Sequence, residues 1–177
     1  MRVRDVIRST LFSLSLLASQ AYAEEVRIAV ANAGVVLLTL PDGWRHTMQA
    51  GPLPTLSLTP AKGKAFEVLL SALVAPDGRL AAASPEALRR IVEASANEAQ
   101  AQAVEKSLPL QEMGGGAVHG HYFFATDKAP KPGEFTYLAQ GAMAVQGLPL
   151  AFTILCNGDP QATLRPALRM LGTARKQ

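Results

Sequence analysis

"GEFTYLAQGAMAVQGLPLAFTILCNG", Gly133 to Gly158, is the stretch on which the fold turns. Two apolar runs within it, Phe135–Ala142 and Leu150–Cys156, are separated by "VQGLP" at 145–149 and predict two strands. In "LAFTILC" the apolar residues do not alternate with polar ones. Successive side chains of a strand point to opposite faces, so such a run has two faces to remove from water. Whatever sheet contains it must be covered on both sides.

Upstream, strands are predicted near Val118–Ala125 and Leu110–Met113, with "DKAPKPGE" at 127–134 as the connection to the pair above. Closer to the N-terminus, "EVRIAVA" (25–31), "GVVLLTL" (34–40), "PTLSLT" (54–59) and "AFEVLLSALV" (65–74) are short runs rich in Val, Leu and Thr. Turn chemistry punctuates them: "PDG" at 41–43, "GPLP" at 51–54, "PAKGK" at 60–64 and a second "PDG" at 76–78. They read as four more strands.

Between the two blocks the period changes. Ser84, Pro85 and Glu86 make an N-cap, a proline at the first helical position and an acid where the helix dipole favours one. Leu88, Ile91, Val92, Ser95, Ala99 and Ala103 follow at three- and four-residue steps, so a long amphipathic helix is predicted, running out near Lys106. A second stripe, Leu164, Ala167, Leu168 and Leu171, closes the chain. Pro166 leaves two starts open for this helix: near Leu164, or at Pro160 behind Asp159 with a kink. The expectation is an α+β fold of order ββββ-α-ββββ-α. It comprises an antiparallel sheet of about seven or eight strands with two helices packed on it as an α/β/α sandwich.

The order of elements, "LPDGW" after an early strand, "SPEALRRIVE" at the first helix, and the late pair quoted above resemble the Mog/PsbP-like group, which includes the bacterial DcrB-like proteins. The resemblance covers the chain beyond its leader. It implies an antiparallel sheet flanked by helices and a role in binding or assembly. It carries over no ligand-binding residue.

Residues 1–23 look like an export signal. Arg2, Arg4 and Arg8 precede the apolar "STLFSLSLLAS", and Ala21 and Ala23 flank Tyr22 before a cut. An apolar core of about ten residues is half of what spans a bilayer, so stable membrane insertion after cleavage is not expected. The expected product is a single domain, residues 24–177, periplasmic or secreted. The leader holds three arginines and Asp5; without them, 14 basic residues face 13 acidic ones, close to neutrality. No basic run remains to bind nucleic acid. The expected partner is instead an envelope protein or another periplasmic component.

Few residues advertise chemistry. His119 and His121 in "VHGHYFF" share one face of a strand, and His46 in the loop-like "DGWRHTMQAG" is a conceivable third ligand for a metal. Two ligands without a local partner are a weak signal, and two partly exposed, hydrogen-bonded histidines on a strand near the sheet edge are the preferred account. No metal or other cofactor is therefore expected. Cys156, the single cysteine, ends an apolar strand and reads as a small buried hydrophobe rather than a nucleophile. "GGG" at 114–116 opens a strand, not a helix, and reads as a turn or bulge rather than a phosphate loop. No catalytic constellation is complete. For a binding module, Trp44 and the loop containing Lys128 and Lys131 are the candidate partner contacts, although an aromatic beside a hairpin more often clamps a core edge.

Overall fold

Residues 24–30, 33–51, 53–60, 62 and 66–177 are described in a computed structural model; the proposed leader, 1–23, lies outside them. Five strands come first: β1 (Glu24–Val30), β2 (Gly34–Leu40), β3 (Trp44–Gln49), β4 (Thr55–Pro60) and β5 (Phe66–Ala72). Helix α1 (Pro85–Ala99) follows, then β6 (Gln111–Gly115), β7 (Val118–Thr126), β8 (Tyr137–Val145) and β9 (Leu148–Cys156). Helix α2 (Pro160–Leu171) and the short β10 (Arg175–Lys176) end the chain. The fold is α+β with antiparallel sheets. The strands form two sheets, β3-β4-β5-β9-β8-β7-β6 and β1-β2-β10, in place of the expected one.

The order therefore differs from four strands, helix, four strands, helix. The extra member of the first block is β3, taken as loop in the sequence because its burial carries no alternation: all residues after Trp44 are exposed. It is nonetheless paired in full with β4, from Trp44 opposite Pro60 to Gln49 opposite Thr55. The first "PDG" carries the chain from one sheet to the other. Gly43 takes φ 76°, and the Trp44 N–H donates to Pro41 O at 3.2 Å.

The β8–β9 hairpin is longer than predicted. Val145 pairs directly with Leu148, leaving only Gln146 and Gly147 in the loop, both with positive φ (48° and 84°), as a tight turn matched to strand twist requires. Pro149 fits inside β9 because β5 ends opposite Leu150; beyond it only the proline carbonyl is used, accepting from Leu73 N at 3.0 Å.

The two faces of the large sheet are covered differently. On one, Val68, Leu70, Phe152, Ile154 and Met143 join residues of β1 and β2 and the α2 side chains Leu164, Ala167, Met170 and Leu171 in one core. On the other, Leu88, Val92 and Ala96 of α1 pack on Phe123, Ala125, Ala142 and Ala144. Each helix thus lies on its own side, but a three-stranded sheet shares the α2 side.

Both helices begin where their caps indicated. Ser84 Oγ accepts from Ala87 N at 3.2 Å, and Asp159 accepts from Gln161 N at 2.9 Å with Pro160 in the first turn, which decides between the two starts for α2. Helix α1 stops earlier than its periodicity suggested, at Ala99, and a single 3-10 turn follows. Ala103 has already left the helix and bridges Asp127, while the Glu105 carboxylate accepts from the Thr126 N–H (2.9 Å) and hydroxyl (2.6 Å). The tail of α1 is thereby tied to the end of β7.

Gly120 and Gly141 lie on adjacent strands in the body of the sheet. A Cβ on Gly141 would meet Phe152 Cζ at 2.6 Å and Tyr122 Cβ at 2.7 Å, besides the His121 carbonyl. These neighbours are packed between strands and cannot retreat. Gly141→Ala is expected to cost about 1–3 kcal/mol, the usual penalty of overpacking a core. Urea unfolding measures it, and an unchanged midpoint would show that the ring of Phe152 yields freely.

Candidate binding face

The main asymmetry of the molecule follows from the register. Helix α1 packs mainly on β7 and β8. Among the described residues nothing covers the α1 side of β3, β4, β5 and the outer half of β9. Side chains there stand in rows: Thr47, Ser57, Leu69, Thr153 and Gln140 in one, and Gln49, Thr55, Ser71, Ala151 and Ala142 in the next.

Burial shows the consequence. On the α2 side of β4, β5 and β9, Leu56, Leu58, Val68, Leu70, Phe152 and Ile154 are at most 1 % exposed. On the α1 side, within Thr55–Thr59, Glu67–Ser71 and Ala151–Leu155, only Ser57 is buried. Its hydroxyl is satisfied by the Glu67 carboxylate. The open surface is a floor of hydroxyl and amide groups crossed by the half-buried Leu69, Leu155 and Leu138.

Helix α1 forms a wall along this floor. Ile91 and Ser95, which the periodicity assigned to its buried stripe, flank that stripe instead and face a crevice of about 80 Å³ with Leu73, Gln140 and Ala151. Leu73 and Ile91 also line an apolar groove of about 420 Å³ between α1 and the 73–82 loop, where Arg90 is the one charged residue. Crevice and groove share Leu73 and Ile91, and the crevice adjoins the floor at Gln140 and Ala151.

The sequence candidates are dispersed by the fold. His119 and His121 do share the α1 side of β7, in register with Ala144 and Ala142. His119 Nε2 lies 3.1 Å from Ala83 O and donates to it, which anchors the segment leading into α1. His121 stands opposite Glu112 of β6. His46 is not in a loop but on β3, five strand spacings or about 24 Å away. It also faces the opposite side of the sheet, in register with Leu58 and with Nδ1 3.3 Å from Glu24. It cannot join the other two. Among the described residues no three His, Cys, Asp or Glu side chains are grouped to hold a metal.

Cys156 is buried on the α2 side, and burial pushes its thiol above the ordinary value, with Asp159 adding to the rise. A thiol held protonated is a poor nucleophile. Trp44 lies half-buried, edge-on to Phe66 at 5.0 Å, and packs against the larger core. Lys128 Nζ donates to Ala101 O at 3.0 Å, adding a stitch between α1's tail and the 127–136 loop. Lys131, in the same exposed loop, donates its N–H to Glu134 at 2.9 Å. Trp44 and this loop occupy the same end of the sheet, four strand spacings or about 19 Å apart, and do not form one patch.

The open floor was missed because it depends on where α1 lands. Its one sequence trace is "TLSLT", in which Thr55, Ser57 and Thr59 alternate with leucines. No family model, curated protein or solved structure matches the chain.

With His119 engaged by a carbonyl and His46 on the far face, zinc is expected to leave the melting temperature unchanged. A ligand bound only by the folded state raises it by mass action. A saturable rise that disappears in both His119→Ala and His121→Ala would establish a site on this strand.

Proposed function

We propose that the chain is an exported, non-enzymatic binding or assembly module of the cell envelope, built on a Mog/PsbP-like α/β/α plan, and that it engages a protein partner through the open half of its large sheet. The observation that carries this reading is the half-covered sheet. Strands β4, β5 and β9, packed on one side, present Leu69, Leu155 and a set of Thr and Ser hydroxyls on the other, with Leu138 of β8 beside them. A floor of this mixed character suits a partner that brings both apolar side chains and hydrogen-bonding groups, as protein interfaces do. The groove beside α1 extends it.

Export is supported by the arrangement of Arg2, Arg4, Arg8, the apolar core and Ala21-Tyr22-Ala23. Among the described residues no helix is long and apolar enough to cross a membrane. Mass spectrometry of the protein recovered from fractionated bacterial cells is expected to find Glu24 as the first residue. An intact Met1 would remove the export half of the proposal.

The binding half is tested on the floor itself. Ser71→Lys and Thr153→Lys place a charge among half-buried neighbours, at a stability cost expected to be about 1 kcal/mol or less. Both are expected to abolish capture of the partner from envelope extract, whereas Glu98→Lys, on the exposed side of α1, leaves it intact. Equal capture by all four proteins would exclude the floor as the binding surface.

A further inference from the structure

The two edges of the large sheet are not alike. An edge strand exposes unpaired N–H and C=O groups and invites another strand unless it is guarded. At β6 the guards are present: five residues, Pro109 two positions before them, the charged Glu112, and Gly114 to Gly116 at the far end with Gly116 at φ 59° in the turn. At β3 the charge of Arg45 is the one guard. Its six residues, "WRHTMQ", include no proline, glycine or lysine, and its pairing with β4 runs without a bulge. Met48, 47 % exposed, is one of two large apolar side chains left exposed among the described residues.

We propose that β3 is a self-association edge, at which a second copy of this chain adds antiparallel about a two-fold axis through Thr47. The argument is one of parity and charge. A two-fold perpendicular to a sheet keeps every side chain on its own face, so only registers centred on a residue are allowed. A centre at Arg45 sets two guanidinium groups face to face. A centre at His46 sets two imidazole rings against each other, each already held by its own Glu24. A centre at Met48 leaves only Thr47 to Gln49 paired within the strand. The centre at Thr47 pairs five strand residues: Arg45 opposes Gln49 of the second copy, His46 opposes its Met48, and Thr47 opposes its equivalent. No like charges meet, Met48 gains a neighbour, and a Thr–Thr pair lies on the axis, a favourable cross-strand pairing.

This goes beyond the binding reading and does not depend on what the floor binds. It does have a consequence for it. The two open half-faces become one surface running β9-β5-β4-β3 and on through the same strands of the second copy, roughly 34 Å across seven strand spacings, with an α1 helix at each rim.

Sedimentation of the purified protein at tens of micromolar is expected to give twice the chain mass. Thr47→Glu, which sets two carboxylates opposite each other, is expected to give the monomer, and the isosteric Thr47→Gln to restore the dimer. Circular dichroism and thermal unfolding verify that both variants fold, as an exposed edge position should allow. The register is read separately: in a Cys156→Ala background, Thr47→Cys is expected to cross-link to its own equivalent under an added oxidant, far faster than an Ala94→Cys control on the exposed side of α1. A single-chain mass for the unaltered protein overturns the proposal. So does a Thr47→Cys variant no faster than the control, or preferential cross-linking through His46→Cys.

Discussion

Strand β9 sends most of its large apolar side chains to one face, and most of the architecture answers that asymmetry. It lies at the middle of seven strands, between β5 and β8, and directs Leu150, Phe152 and Ile154 to one face and Ala151, Thr153 and Leu155 to the other. Burying each large apolar side chain is worth about 1.5–3 kcal/mol, so the side with Leu, Phe and Ile attracts the greater cover. That cover is the β1-β2-β10 sheet together with α2. The opposite side, with smaller and more polar residues, receives one helix set off toward β7 and β8. The uneven layers thus follow from uneven side chains.

What holds α1 in its offset position is local bonding at both of its ends. At the start, His119 donates to Ala83 O from β7. At the tail, Val104 N–H donates to Thr126 O at 2.8 Å, Glu105 receives the Thr126 N–H and hydroxyl, and Lys128 N–H reaches Gln102 O at 2.9 Å. Burial alone would push the Glu105 carboxyl up, but the two Thr126 hydrogen bonds prevail and hold it below its ordinary value. All of these ties lead to β7 or the loop after it. None leads to β5 or β9, so the floor beside the helix stays open. His119, which looked like chemistry in the sequence, helps instead to fix where α1 lies over the sheet.

The same logic separates the two sheet edges. Beside β6, the end of α2 and the edge strand enclose a cleft lined by Met113, Tyr122 and Arg169, and the Tyr122 hydroxyl donates to Gln111 of β6 at 2.7 Å. Beside β3 the flanking contacts are the Glu24–His46 pair and the Trp44–Phe66 edge contact. Both brace the strand from one face and leave its outer backbone groups without a partner among the described residues.

Periodicity, caps and turns are local properties, and so they were legible. Eight of the strands, the start of α1 at Pro85 and one of the two starts considered for α2 could be read from spacing, because each depends on residues a few positions apart. Strand β3 could not, since a strand exposed on both faces carries no alternating burial to impose a pattern. Sheet membership was equally hidden. "GVVLLTL" and "AFEVLLSALV" look alike as sequences, yet one joins the small sheet and the other the large one, a choice made by long-range packing. The separation of His46 from His119 and His121 depends on strand order and on the parity of the pairing, neither of which is written in the spacing of histidines. The sequence by itself determined which segments become strands and helices and which of their side chains are apolar. Only the tertiary structure decided which face each helix covers, and hence which half of the sheet is left open, because that depends on contacts between residues far apart in the chain.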